Sequence, residues 1–241
     1  MEFERRKAIG ATPWKPKDIV KFLSHHKSGS MARLWFALAD TTAGRIGDMN
    51  WLGSDNLETH DGVEYVAYQP GKRGSKHVSA PVQDLLRAEL AHHDLSSRDT
   101  FLVNEYGRPF ASPAAMGNKV RDWIIEAGLC VEVAGSNPKQ KEKRATRSQH
   151  GIRKAVAEAM ASNDATVIEI MALLGHSEMK TTQVYVEHVN RRKLAASGRV
   201  KMSNMDHGFG GVVHNGEKTE ENQHHFGSVA ARRGLRKEGN T

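Results

Sequence analysis

Three short clusters combine residue types that could act together on an anion. In His150-Gly151-Ile152-Arg153, a histidine and an arginine stand three apart in a segment of helical apolar spacing. They therefore share a face, while Ile152 and Val156 turn toward a core. Leu174-Gly175-His176 ends an apolar run at a glycine, with Thr181-Thr182 and then Tyr185 on the next helix. Gly44-Arg45, with Asp48, stands at a third helix entrance. Two forked guanidiniums suit oxygens that gain negative charge during a reaction. A tyrosine hydroxyl can supply a nucleophilic oxygen. Each residue also has a plainer reading. Arg45 could simply pair with Asp48 on the surface, Tyr185 could be a core aromatic, and His150 and His176 could hold helix ends. Their joint occurrence in one order favours chemistry.

The elements that must carry these clusters read as follows. Pro16 opens a helix bearing Ile19, Val20, Phe22 and Leu23. Gly29-Ser30 breaks it, and a second helix carries Met31, Leu34, Trp35, Leu38 and Ala39, with Gly44 as its natural left-handed cap. Arg45 begins a short helical turn. Val63, Tyr65 and Ala67 alternate as a strand, residues 69–75 turn, and His77 to Val82 return, giving an antiparallel hairpin with a basic tip. Helices follow near 83–92 and 113–127, the second capped by Ser112 ahead of Pro113. Residues 131–147 read as a basic loop leading into the helix of Ile152, Val156, Ala159 and Met160. Asn163 or Asp164 caps the helix that Gly175 stops, and a last helical stretch spans about 178–196. The expected organisation is a linker remnant over 1–13, one domain over 14–197, and a Gly-rich, disordered tail over 198–241.

The chain has 241 residues, 38% of them hydrophobic, and a net charge of +7. That is enough chain for one full domain, and the basic balance points first to nucleic acid as partner. Cys130 is the single cysteine, so no internal disulfide forms; it reads as packing. The start, Met-Glu-Phe-Glu-Arg-Arg, has no signal-peptide core, and no apolar run approaches membrane-spanning length. The expectation is a soluble, intracellular protein without membrane contact. The pairs His25-His26, His92-His93 and His224-His225 lack the cysteine or acidic partners of a metal site, and adjacent helical histidines face apart. No metal is expected.

The order Arg45, a hairpin lysine, His150-x-x-Arg153, Leu174-Gly175-His176 and Tyr185 resembles the tyrosine recombinases of the phage integrase family. The string Leu-Gly-His-Ser-Glu-Met-Lys-Thr-Thr-Gln-Val-Tyr is the most specific part, and the resemblance runs from about Trp14 to Ala196. It implies an α+β, mainly α catalytic domain with a small antiparallel β-sheet. It also implies site-specific DNA recombination or integration through a 3′-phosphotyrosine on Tyr185, with a 5′-hydroxyl leaving. Arg45 and Arg153 would bind the phosphate and His176 would donate to it. His150 would serve as base or positioning group, and Asp48 would buttress an arginine. Lys72 is the general acid by family position, with Arg73 and Lys76 as neighbouring candidates. Further DNA contacts fall to Arg73, Lys76, Lys141, Lys143, Arg144 and Arg147. One phosphodiester replaces another, so no ATP or other cofactor is expected.

The implied partners are double-stranded DNA and three further copies of the chain, a homotetramer on DNA. The implied setting is the cytoplasm of a bacterial or phage-derived system, associated with the nucleoid. The chain starts almost at the catalytic domain, without the N-terminal clamp usual in the family, and Ala43 stands where glycine is common. Two other functions compete. One is a type IB topoisomerase-like activity, against which the Leu-Gly-His and Thr-Thr spacing argues. The other is a truncated, inactive or regulatory DNA-binding remnant.

Overall fold

The structure is a computed structural model that describes residues 10–135 and 141–203. Pro16, at the first turn, opens α1 (Pro16–His25), where Asp18 accepts a bond from the Lys15 amide at 2.8 Å. Ser30 caps α2 (Met31–Thr42), which is buried on nearly every face. Short α3 (Ile46–Met49) follows. Strands β1 (Leu57–His60), β2 (Val63–Tyr68) and β3 (Val78–Pro81) form one antiparallel sheet in that order, with Val66 opposite both Leu57 and Ala80. Helices α4 (Asp84–Leu90) and α5 (Pro113–Glu126) come next; Ser112 accepts from the Ala115 amide, as its position before Pro113 predicts. The mainly helical α+β class is as expected. The sheet has one strand more than the expected hairpin, because Leu57 to His60 pairs along the outer edge of β2.

Within 131–147, expected as a loop, most of the described residues are strand. β4 (Cys130–Ala134) and β5 (Lys141–Ala145) make a second, two-stranded antiparallel sheet. Backbone pairing carries it, since β5 lacks alternating apolar residues. Cys130 is half-buried beside α5, a packing position. Beyond it lie α6 (Gln149–Ser162), α7 (Val167–Leu174) and α8 (Met179–Ser203). Thr166, not Asn163 or Asp164, caps α7. Its hydroxyl accepts from the Glu169 amide while Glu169 reaches back to the Thr166 amide, a reciprocal pair neither earlier residue could make. Helix α8 outruns the expected end at 196. The described residues group into a unit ending at Ala196, treated below, and the stretch 197–203. Residues 1–9 of the expected remnant (1–13) and 204–241 of the expected tail (198–241) lie outside the described residues.

The larger core packs Trp14, Phe22, Trp35, Phe36, Trp123 and Ile152 between α1, α2, α5 and α6. A smaller one joins Ala43, Ala157, Ala161, Ile170, Leu174 and Val186. Two buried ion pairs fasten the first: Arg33 with Glu89 at 2.8 Å, and Arg147 with Asp18 at 2.8 Å. Burial alone would raise the Asp18 pKa. The Arg147 and Lys15 hydrogen bonds outweigh that and hold it below the ordinary value.

Segment 12–14 crosses the first turn of α6 directly over Gly151. A Cβ there would collide with the Thr12 carbonyl oxygen and come within 3.1 Å of the Trp14 ring. Trp14 also donates its indole N–H to the Ser148 carbonyl at 2.9 Å. Gly151→Ala should therefore destabilise the fold by about 1–3 kcal/mol through overpacking, read as a lowered urea midpoint.

Candidate active site

Arg45 is the residue before α3, placed by a sharp reversal at the end of α2. The left-handed residue there is Ala43 (φ 47°, ψ 25°), not the expected Gly44. Tertiary bonds fix this turn: Arg153 Nη1 takes the Ala43 carbonyl at 2.7 Å and Gln149 Nε2 takes the Gly44 carbonyl at 2.9 Å. Gly44 is needed for room, because a Cβ would lie 3.0 Å from Thr42 Oγ1 and 3.3 Å from the Tyr68 hydroxyl. Asp48 faces Arg45 across 3.8 Å, too far for a direct hydrogen bond. Its other oxygen accepts from the Gly71 amide at 2.8 Å, tying the β2–β3 turn to α3. Arg45 Nη1 and Asp48 Oδ2 are both buried without a hydrogen-bond partner.

Arg153 on α6 is 3% exposed. Its Nη2 donates to the Leu174 carbonyl at 2.6 Å and lies 2.9 Å from His176 Nε2. Desolvation, then the charge of Arg45, push its pKa down to about 10, so it stays protonated near neutral pH. Gly175 is left-handed (φ 61°) and ends α7; its carbonyl accepts from the Lys76 amide at 3.1 Å. His176 is thereby aimed back at Arg153, with Nδ1 2.8 Å from the Thr182 hydroxyl. Desolvation first, then Arg153, Arg45 and Lys72, push its pKa down to about 4. The Tyr185 ring stacks on the imidazole with centroids 6.5 Å apart and planes at 17°. His150 keeps an exposed edge, and lost hydration followed by the charges of Arg153, Lys154 and Arg45 lowers its pKa.

The sequence model of the phage integrase family matches residues 14–192, most of the chain and every residue of this cluster. The chain belongs to the phage integrase family. A tyrosine recombinase XerC from Lactobacillus leichmannii is 28% identical over 170 residues, 68% of this chain and 52% of the relative. The chain thus spans about half the length of the curated relatives it matches. Crystallised XerA recombinase shares the fold at a TM-score of 0.55 and 17% identity, over 80% of this chain and 65% of that one. So does a lambda integrase fragment crystallised as a dimer on a COC′ core site, at 0.56 and 16%, over 77% and 62%.

In this phage integrase domain, Arg45, Asp48, Arg153, His176 and Tyr185 converge through contacts and charge, with His150 beside them. Of the three hairpin cations, Lys72 is the one whose charge acts on His176. The side chains of Lys72, Arg73 and Lys76 are all exposed. Lys143 and Arg144 project from β5 into solvent, and Lys141 pairs with Glu132 at 3.0 Å on the surface. Arg147 differs from them: its guanidinium is held by Asp18, and its side chain is 15% exposed. Arg45, Arg144, Arg147 and His150 edge a cavity of about 510 Å³ floored by Ile46, Val120 and Ile124.

Two participants were not singled out from the sequence. Tyr68, on β2, buries its ring, and its hydroxyl lies among Thr42, Asp48, Arg45 and Arg153; burial, then Asp48, push its pKa up to about 12. Its place in an alternating strand gave it the look of an ordinary core residue. Gln149 accepts from the Trp35 indole at 2.8 Å while holding the Gly44 carbonyl, so one side chain spaces α2, α6 and the Arg45 turn. Only its position beside His150 hinted at it. Among the described residues, no three His, Cys, Asp or Glu side chains group as a metal site, and no helix is long and apolar enough to cross a membrane. His26 meets the Trp123 carbonyl and His92 meets Ser28, whereas His224 and His225 lie outside the described residues.

The His176 shift has a stability consequence. Its folded pKa, about 4, lies below the ordinary 6.5, so between these values the unfolded chain binds more protons. Stability should fall as pH drops from 6.5 toward 4, by on the order of 2 kcal/mol after allowance for partial exposure. Urea midpoints measured across that window should slope less steeply in His176→Gln.

Proposed function

We propose that this domain cuts and rejoins double-stranded DNA through a covalent bond to Tyr185. The observation that carries the reading is the convergence of two guanidiniums, an imidazole and a phenol drawn from the turn before α3, α6, the α7–α8 connection and α8. Arg45 Nη1, buried with no hydrogen-bond partner and 3.8 Å from Asp48 Oδ2, is a donor suited to a phosphate oxygen. Arg153 adds a second fixed positive charge. Together they stabilise charge that builds on the non-bridging oxygens during in-line attack. This is the electrostatic role that a divalent ion fills elsewhere.

In the first step the Tyr185 oxygen attacks phosphorus and its proton passes to His150. The depressed pKa of His150 keeps it neutral and able to accept. A P–Oη bond forms and the P–O5′ bond breaks, leaving a 3′-phosphotyrosine. Lys72 gives its proton to the departing 5′ oxygen. In the second step the 5′-hydroxyl of another strand attacks the phosphotyrosine, returning Tyr185 free. Asp48 buttresses this arrangement by joining the hairpin turn to α3. DNA contacts extend over Arg73, Lys76, Lys141, Lys143 and Arg144, with Arg147 at the cavity edge. The assembly is a homotetramer pairing two sites on DNA, in the cytoplasm at the nucleoid. The lambda integrase fragment crystallised on a core site supports DNA as the partner.

Incubation with nicked suicide duplexes tests the reading. Wild-type protein should form a covalent adduct that Tyr185→Phe cannot; a variant still forming the adduct, or a wild type binding DNA without one, would overturn it. A second measurement identifies the general acid. A 5′-bridging sulfur leaves without needing a proton. Lys72→Ala should therefore lose about 100-fold or more in cleavage rate on ordinary DNA and recover on the sulfur substrate. Recovery by Arg73→Ala or Lys76→Ala instead would move the role to that residue.

A further inference from the structure

Thr182 lies in the first turns of α8, fully buried, with its hydroxyl 2.8 Å from His176 Nδ1. On the other side of the ring, Nε2 is 2.9 Å from Arg153 Nη2. A guanidinium only donates, so Nε2 is the acceptor. The imidazole proton is then on Nδ1 and is donated to Thr182. In that state His176 has no proton to offer a phosphate from Nε2. Full protonation does not supply one near neutral pH, since three cations and lost hydration oppose it. A neutral imidazole donates from Nε2 when Nδ1 is the acceptor, a tautomer that a donor beside Nδ1 stabilises. A carboxylate there would accept permanently and lock the ring. A hydroxyl can accept in one state and, by turning about a single bond, donate in the other.

We propose that Thr182 is a positioning residue that lets neutral His176 exchange tautomers, carrying Nδ1–H in the free site and Nε2–H when a phosphate is bound. The exchange is balanced: water takes one proton from Nδ1 and returns one to Nε2, with no change in net charge. When phosphate arrives, Arg153 Nη2 turns from His176 to the phosphate, and Thr182 reverses from acceptor to donor. The inference rests on the reading that a phosphodiester occupies the space between Arg45 and Arg153.

Nitrogen-15 NMR of histidine-labelled protein tests it, with the His176 signals identified by their loss in His176→Gln. The free protein should show the Nδ1–H pattern. Inorganic phosphate, or a short duplex bound to Tyr185→Phe, should convert it to Nε2–H. Thr182→Val should lose that conversion and about 10- to 100-fold in cleavage rate, with DNA affinity changed by less than about twofold. Thr182→Ser should restore both. An unchanged His176 signal with both probes overturns the proposal, as does wild-type cleavage by Thr182→Val. Because the tautomer is read without cleavage, a missing Tyr185 adduct would sink the proposed reaction alone. An adduct with an unmoved tautomer would sink this inference alone.

Discussion

The buried guanidinium of Arg153 is the interaction on which the remaining geometry depends. A charge this far from water must be met by oriented acceptors or it destabilises the fold. The acceptors are main-chain carbonyls at Ala43 and Leu174, the ends of two helices distant in sequence, together with the ring of His176. Satisfying one side chain therefore brings α2, α6 and α7 into a single arrangement. The chain reverses at Ala43, and not at the residue most tolerant of reversal, because the carbonyl has to face that charge. A left-handed alanine costs of the order of 1 kcal/mol, small beside the cost of leaving a guanidinium N–H unpaired.

From that point the site is assembled by short links. Gln149 sets the spacing between Trp35 and the Gly44 carbonyl, so the aromatic core and the Arg45 turn move as one piece. Asp48 holds the hairpin turn through Gly71, and the Gly175 carbonyl holds it again through Lys76. The hairpin bearing Lys72 is thus pinned at its base on two sides while its cationic side chains stay in solvent. Such an arrangement holds the Lys72 charge near His176 while leaving its side chain exposed. Thr182 and the stacked Tyr185 close the other flank of His176.

The charge distribution separates two kinds of basic residue that composition lumps together. Arg33 and Arg147 neutralise buried carboxylates and hold the core. Lys143, Arg144, Arg73 and Lys76 remain exposed, so they add to the field a polyanion would meet. Strands β4 and β5 raise part of this charge on a two-stranded antiparallel ribbon. A pattern of lysines and arginines does not reveal that pairing, because it comes from the main chain and not from apolar alternation.

Residue order alone pointed to the family and the helical class, and it singled out Arg45, Arg153, His176 and Tyr185, which folding brings together. Their types and spacing survive in a linear string. So did local devices such as Ser112 before Pro113 and Gly175 after α7, since a cap is chosen by its immediate neighbours. Tyr68, Gln149 and the partners of Arg147 were settled by the tertiary structure. Whether a tyrosine, glutamine or arginine serves the core or the site depends on which distant groups meet it after folding. The shift of the left-handed turn from Gly44 to Ala43 has the same origin: local preference favoured glycine, and a long-range hydrogen bond to a buried charge outweighed it.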